Sequence, residues 1–352
     1  MRKRRKNKKQ RTRLFFLFFL GFVTVLSYMG PLLNPDVFTF SVFILLLYPL
    51  MLFVNLVVFA FFIIKGSYLK ALLPFVLIVA GWPIHSKIIP FSSPNLVASE
   101  GDIKVVSFNA FYGHHLAKDN VDESLLPKLL KESKTPNILV LQEHTPTVHQ
   151  WVQQYFDYGQ PIKSGEYRTA IYSKHPVSDW GFIPFGNLDN NCLWADIRLP
   201  EGKTIRIYNI HLQTNGITHL SAEIMQEKVE LTESYFRRVY NILLNYRVAS
   251  AKRVEQLNQL FEHVESSPYP VIIAGDINDV PISYVYRKLS IGRSDSFLQR
   301  GRGLGTTYAG NIPFLRIDVI KPDQHFRVLS HKVIKGDFSD HYPIVAVLRL
   351  NE

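Results

Sequence analysis

The sequence predicts an α/β domain over residues 102–352, carried behind an N-terminal membrane region. Three observations lead there. The first hundred residues contain long uncharged apolar runs. Beyond them, short Val- and Ile-rich runs alternate with longer helix-like ones. The short runs of that second part repeatedly end in an acid, an amide or a histidine.

The membrane region comes first. Residues 2–13 read RKRRKNKKQRTR, nine positive charges with no acid. No charged residue follows until Asp36, and Val37–Ile64 adds 28 more uncharged residues. A helix needs about 20 apolar residues to cross a bilayer core, and both runs meet that length. The third, Ala71–Ser86, is shorter. It spans only by continuing through Ile88 and Ile89, with Lys87 snorkelling to the interface. A cleaved secretory signal is the bland alternative for residues 1–30, but no A-x-A-like site follows and a second span comes at once. Three transmembrane helices are therefore expected in residues 14–90, behind a basic cytoplasmic tail at 1–13. The loop Pro31–Asp36 lacks Lys and Arg and can lie outside, and Lys65 and Lys70 return to the inside. If the third run spans, the remainder lies on the non-cytoplasmic side of a plasma or inner membrane. If that run only rests on the surface, the remainder is cytoplasmic. Three spans are favoured. Residues 91–101 read as a linker punctuated by Pro, Ser and Gly.

The net charge of +11 belongs to this region. Residues 1–100 hold 12 Lys and Arg against 2 Asp and Glu, whereas residues 101–352 hold 28 against 27. A nearly neutral second part excludes a strongly basic domain that coats nucleic acid. Cys192 is the single cysteine, so there is no disulfide partner within the chain and no Cys-based zinc site.

In residues 102–352 the expected strands are Lys104–Phe108, Ile138–Gln142, Thr169–Ser173, Leu193–Arg198, Thr204–His211, Val271–Gly275, Arg316–Ile320 and Ile344–Leu348. The expected helices are Asp122–Lys131, Thr147–Tyr155 and Ser221–Ser266, the last broken near Val248. No fixed-period repeat stands out. The mix fits sheets packed under helices in a single core.

The polar residues that close the strands carry the chemistry. Asn109 ends VVSFN, Glu143 ends ILVLQE, and His211 ends IRIYNIH. Asp276, Asn278 and Asp279 end VIIAGDIND. Asp318 sits inside LRID, and Asp340 and His341 precede the last strand. One carboxylate beside a buried strand is more often a satisfied structural group. Six such sites in one domain are harder to dismiss, because strand ends converge on one rim. Buried carboxylates are costly unless paired, hydrogen-bonded or bound to a cation. Oxygen donors without cysteine suit Mg²⁺ or Mn²⁺. Amides can hold phosphate oxygens or water, and a His beside an Asp can serve as a base. Together these groups suggest metal-assisted hydrolysis of a phosphate ester.

Taken in order, SFNAF, LQEH, AIYSKHPV, NIHLQT, GDINDVP, RIDVI and SDHYPIV, from Ser107 to Val345, resemble the endonuclease/exonuclease/phosphatase family. That family includes DNase I-like nucleases, abasic-site endonucleases, inositol-phosphate 5-phosphatases and neutral sphingomyelinases. The resemblance implies a four-layered α/β sandwich, two packed sheets between helices, with the site at their shared rim. It implies that Glu143 is the main Mg²⁺ ligand, with Asn109 and Asp340 beside the metal. It implies that Asp276 and Asn278 position water and phosphate, and that His211 donates to a nonbridging oxygen. His341, paired with Asp318, would act as general base or stabilise the pentavalent state. Tyr172 falls where related nucleases carry an aromatic or polar site residue. Arg168 and Arg316 could contact phosphate, or be structural. The Gly-rich Arg300–Tyr308 could line a substrate groove or be an ordinary loop.

The basic residues Arg237, Arg238, Arg247, Lys252 and Arg253 read as the solvated face of packed helices. A sharper reading sets Arg237, Arg238 and Arg247 against anionic lipid head groups. The substrate stays open between nucleic acid and a membrane-linked phosphodiester. An inactive binding module fits less well, because Glu143, Asp276, Asn278 and His341 are all kept.

Overall fold

The computed structural model describes residues 2–115, 118–121, 129–131, 133, 136–160, 168–215, 232–310, 312–337 and 339–351. The chain divides into two compact units, one formed largely by residues up to Ile88 and the other carrying nearly all of the rest.

The first unit is helical. Helix α1 runs over Arg2–Tyr28, so the basic run 2–13 continues directly into the first apolar stretch. Helix α2 covers Ser41–Ile64, α3 Tyr68–Ala80 and α4 Trp82–Ile88. Two stretches, Phe15–Leu32 and Ser41–Ile64, are long and apolar enough to cross a membrane. The third run is bent by 58° between α3 and α4. The break falls at Gly81, followed by Trp82 and Pro83. Proline lacks the N–H that would continue the ladder of α3 but is tolerated in the first turn of α4. A Cβ on Gly81 would stand 2.6 Å from the His85 ring and the Tyr28 hydroxyl, so the bend also needs the smallest residue. Polar side chains join the helices. The Asn55 amide donates to Thr24 Oγ1 at 2.8 Å, and the Tyr28 hydroxyl donates to the Leu77 carbonyl at 2.8 Å. His85 Nε2 lies 2.9 Å from the Ile78 carbonyl and must donate there, which leaves Nδ1 to accept from the Tyr48 hydroxyl at 2.5 Å.

Among the described residues, the second unit holds thirteen strands: β1 Ile103–Asn109, β2 His114–His115, β3 Lys118–Val121, β4 Ile138–Gln142, β5 Tyr158–Gln160, β6 Ala170–Ser173, β7 Val177–Pro184, β8 Asn191–Arg198, β9 Thr204–His211, β10 Val271–Asp276, β11 Asp318–Pro322, β12 Phe326–Val333 and β13 Ile344–Leu350. One sheet has the order β12-β13-β1-β4-β6-β5 and the other β11-β10-β9-β8-β7; β2 and β3 form a small ribbon. Both large sheets are mixed, with β1 parallel to β4 and β9 parallel to β10.

Period-2 alternation builds the layers. Ile103, Val105, Ile138 and Val140 of the first sheet meet Leu193, Ala195, Ile205, Ile207, Ile272, Ala274 and Ile320 of the second in one buried core. The alternate residues Val106, Phe108, Leu139 and Leu141 face outward and pack with Val148, Val152 and Phe156. The first two of those belong to the helix Pro146–Val152, which is capped by Thr145 Oγ1 accepting from Val148 N. On the second sheet, Tyr208 and Trp194 pack against His263 of the helix Glu233–Glu265. Two sheets thus lie between flanking helices, as the resemblance implied.

The expectations differ from the structure in several places. The helix Glu233–Glu265 runs unbroken through Val248. Arg253 on it is fully buried, not on a solvated face. Strand β11 starts at Asp318, two residues later than expected, which leaves Arg316 in the run-in. Strands β5, β7 and β12 were not anticipated. Each is an edge strand, and edge strands carry polar residues that blur the pattern. Most of the expected helix Asp122–Lys131, and Ser221–Ser266 before residue 232, lie outside the described residues.

Candidate active site

The inner faces of the two sheets turn from apolar to polar toward one rim. Along β1 the inward series runs Val105, Ser107, Asn109; along β4 it runs Val140, Gln142; along β9, Ile207, Asn209, His211; along β10, Ile272, Ala274, Asp276. All of these polar residues are buried. The interior of the rim is tied across the sheets. Asn209 Nδ2 donates to the Leu141 and Ala170 carbonyls at 2.7 and 2.9 Å, and Gln142 Nε2 donates to Asn209 Oδ1 at 2.6 Å.

Register then aligns three candidates. Asp276 lies directly opposite His211 on β9 and Asp318 on β11. The glycine before Asp276 allows this close pairing: Gly275 has φ 140°, and a Cβ there would stand 2.0 Å from the Ile210 carbonyl oxygen. Glu143 follows the last residue of β4 with φ 49°, a left-handed turn that departs from strand geometry just where the carboxylate meets Asn109. Asn278 is also left-handed, φ 51°.

The contacts are short. Asn109 Nδ2 donates to Glu143 Oε1 and to Asp276 Oδ2, both at 3.2 Å. Its Oδ1 accepts from Phe111 N at 3.1 Å, so Asn109 bridges the two carboxylates through its amide nitrogen. Asp276 Oδ1 accepts from Asn278 N at 2.8 Å, and its Oδ2 from Asn278 Nδ2 at 3.2 Å. His341 Nδ1 pairs with Asp318 Oδ2 at 2.9 Å, while Nε2 faces Asp276 Oδ2 at 3.7 Å. His211 Nδ1 lies 2.7 Å from the Asp189 carbonyl and must carry the hydrogen there. Its Nε2, buried and without a hydrogen-bond partner among the described residues, sits 3.7 Å from Glu143 Oε1 and 3.8 Å from Asp276 Oδ2. Asp340 is held by Ser339, whose hydroxyl also donates to the Asn109 carbonyl at 2.9 Å.

Burial raises the Glu143 carboxyl above its ordinary range and neighbouring Asp340 adds to this, against the opposing pull of His211 and His341. Burial likewise lifts Asp276 to about 6, with Asp318 adding and the two histidines opposing. Burial alone would lower His341, but Asp318 and Asp276 raise it well above an ordinary imidazole. The rim is therefore rich in carboxylates that face the imidazoles of His211 and His341.

That donor set fits a hard divalent cation. Donor atoms of Asp276, Asp318 and His341 lie within 4.8 Å of one another. Because His341 Nδ1 is already committed to Asp318, this trio reads as a His–Asp pair facing a third carboxylate. Glu143, with His211 Nε2 3.7 Å from its Oε1, borders the same cluster. An ion bound there would supply charge for a phosphate oxygen. Around it, Asn278 Nδ2 donates to the Leu212 carbonyl at 3.0 Å as well as to Asp276, and His341 Nε2 can take or return a proton beside Asp276.

Two candidates fall elsewhere. The Tyr172 hydroxyl lies in the outer layer between His144 Nε2 at 3.0 Å and His149 Nδ1 at 2.6 Å. The Arg316 guanidinium is buried on Asp295 at 2.8 Å. Arg168 stays at the lip, its Nε 3.9 Å from Asp189 Oδ1 and its guanidinium 5.8 Å from the Tyr112 ring. Of the Gly-rich loop, Thr307 Oγ1 accepts from Asp318 N at 3.1 Å and the Tyr308 ring abuts His341. Arg300 instead donates to the Val328 and Pro94 carbonyls. Tyr112, with φ 55° and its hydroxyl 3.2 Å from Asp189 Oδ1, had no sequence signal. Ser107 and Asn209 could have been found by counting inward in steps of two from Asn109 and His211.

Two stacked mixed sheets with acids, amides and histidines on a common rim define a DNase I-like hydrolase of phosphate esters. A sequence profile of the Endonuclease/Exonuclease/phosphatase family matches residues 106–341, and the chain belongs to that family. Residues 10–88 match a domain of unknown function, DUF8431. No curated protein sequence matches. Among solved structures, an endonuclease/exonuclease/phosphatase from Beutenbergia cavernae is 18% identical over 72% of each chain, with a TM-score of 0.52. The D. rerio TDP2 solved with a single-strand DNA product is 18% identical over 71% of this chain and 100% of its own, TM-score 0.51. The Bacteroides thetaiotaomicron mannosyl-6-phosphatase Bt3783 is 14% identical over 70% and 100%, TM-score 0.52. These likenesses bear on the fold.

Proposed function

We propose that this protein is a membrane-anchored phosphodiesterase that uses Mg²⁺, or Mn²⁺, and an activated water. Glu143 and Asp340 hold the cation, and Asn109 aligns Glu143 with Asp276. Asp276 and Asn278 position water and phosphate, and His211 donates to a nonbridging oxygen. His341, oriented by Asp318, handles the proton. Arg168, with Tyr112 and Asp189, forms the lip a substrate passes. The observation that carries the reading is the register of His211, Asp276 and Asp318 opposite the Asn109–Glu143 pair.

The substrate we favour is a phospholipid or lipid-linked phosphodiester over nucleic acid. Its support is the near-neutral charge of residues 101–352 and the apolar helices that precede them. The catalytic unit belongs on the non-cytoplasmic side. Support comes from the first unit alone. Tyr28, the last residue of α1, bonds to Leu77 near the end of α3, and Tyr48 in the first half of α2 bonds to His85 of α4. The end of the third run therefore lies level with the end of α1 remote from the basic residues.

The test is hydrolysis by the purified full chain with Mg²⁺ on sphingomyelin, phosphoinositides, plasmid DNA, RNA and bis(p-nitrophenyl) phosphate. We expect cleavage of a lipid diester that Glu143→Ala and His341→Ala abolish. Hydrolysis unchanged in both variants would overturn the site, and cleavage of DNA alone would overturn the substrate. A reporter fused after Glu352 and active only in the cytoplasm would overturn the sidedness.

A further inference from the structure

The helix Glu233–Glu265 meets the segments behind the rim through Tyr246, Arg253 and Gln256. Arg253 is fully buried, though arginine is rarely found without exposure. Its Nη1 donates to three acceptors: the Asn278 carbonyl at 2.6 Å, Asn215 Oδ1 at 2.7 Å and the Gln213 carbonyl at 3.1 Å. Nη2 donates to Ser250 Oγ at 2.9 Å, one turn back on its own helix. Asp279 balances the charge, 3.3 Å from Nε, and its other oxygen accepts from the Tyr246 hydroxyl at 2.8 Å. One turn ahead, Gln256 Oε1 accepts from Gln213 N at 2.8 Å.

These acceptors lie on the two segments that leave the aligned strands. Gln213 and Asn215 follow His211 on the exit from β9, and Asn278 follows Asp276 on the exit from β10. Asn215 Nδ2 also donates to the Asn278 carbonyl at 3.0 Å, so that carbonyl accepts twice. Asn278 needs such support, because its left-handed backbone is uncommon for a residue with a side chain. In that conformation its N–H and its amide both meet the Asp276 carboxylate.

We infer that Arg253 is a positioning residue for catalysis: its guanidinium locks Asn278 in the left-handed turn and ties the β9 and β10 exits together, so that Asn278, Asp276 and His211 hold one geometry. It touches no reacting atom. The inference deepens the proposed function and rests on it for its kinetic part. A flat guanidinium can serve several acceptors around one plane, whereas an ammonium of equal charge is a compact point donor on a more flexible stem. Arg253→Lys therefore keeps the charge opposite Asp279 and loses the tie.

The test compares Arg253→Lys with Tyr246→Phe in the full chain with Mg²⁺. Tyr246→Phe weakens the same buried cluster without touching Asn278. We expect Arg253→Lys to lower kcat about thirtyfold, with KM within threefold, and Tyr246→Phe to lower Tm with kcat kept. Hydrogen exchange reads the geometric half without substrate: segment 276–280 should exchange at least tenfold faster in Arg253→Lys, while 271–275 is unchanged. Unchanged exchange at 276–280 overturns the inference, as does a loss of kcat that follows Tm equally in both variants. If the wild type cleaves no phosphate ester, hydrolysis fails as the reading, and the exchange difference alone decides whether Arg253 holds the turn.

Discussion

Two buried clusters of charge in the catalytic unit are built on opposite terms. Around Asp295, the chain supplies its own cations. Arg316 stands at 2.8 Å and Lys321 at 3.5 Å, the Tyr286 hydroxyl donates to the same carboxylate, and its other oxygen caps the helix Ser296–Arg300 through Phe297 N. At the rim, Glu143, Asp276 and Asp318 are brought together facing the imidazoles of His211 and His341, and among the described residues Asp318 Oδ1 and His211 Nε2 have no hydrogen-bond partner. Burying a carboxylate is costly in either place. One cluster offsets that cost internally and serves the fold. The other leaves it to be offset by something bound, and that is what separates a site from a structural ion pair.

The comparison can be broken most severely by activity. Glu143→Ala or His341→Ala should lower kcat at least about a thousandfold, whereas Arg316→Met should leave the activity of its folded fraction within about threefold of wild type. Equal losses in both clusters would erase the distinction. Stability should run the other way. Arg316→Met strands Asp295 and should cost about 3–5 kcal/mol in denaturant unfolding. A neutral result would mean that this ion pair does little for the fold.

A smaller effect concerns pH. Asp276 is raised from 3.8 to about 6 when folded. Its contribution to stability is thus present below its unfolded value and lost as pH rises through the folded one. His341 is raised too, so it adds stability at low pH that is lost as pH climbs through its folded value, the same direction. Chelator-treated protein should therefore lose Tm from pH 5 to pH 8, and Asp276→Asn should flatten part of that slope. A slope unchanged in Asp276→Asn would show that Asp276 is not held against its own charge.

Much of both clusters was legible in residues and some of it was not. The central strands β1, β4, β9, β10 and β13 are rich in Val, Ile and Leu because both faces are largely buried, and their ends pointed to Asn109, Glu143, His211 and Asp276. Edge strands β5, β7 and β12 were hidden by residues such as Ser178, Asp179, Gly181, Lys332 and His331 that an edge tolerates. Arg316 and Arg253 show a second limit. Residue type says that an arginine is charged, but only packing says whether it meets phosphate, Asp295 or the carbonyl of Asn278. Tyr172 likewise sits on a well-forecast strand, and its place in the alternation sends it to the outer layer with His144 and His149.

Cation binding tests the central claim most directly, because it needs no knowledge of the substrate. Thermal unfolding of the chelator-treated full chain should be followed as Mn²⁺ or Mg²⁺ is added, for wild type, Glu143→Gln and Arg316→Met. A ligand at a hundred times its Kd adds about 2.7 kcal/mol to the folded state, so the wild type and Arg316→Met should each gain several degrees in Tm, and Glu143→Gln should gain almost nothing. An equal gain in Glu143→Gln, or none in the wild type, would contradict a rim built to be completed by a divalent ion.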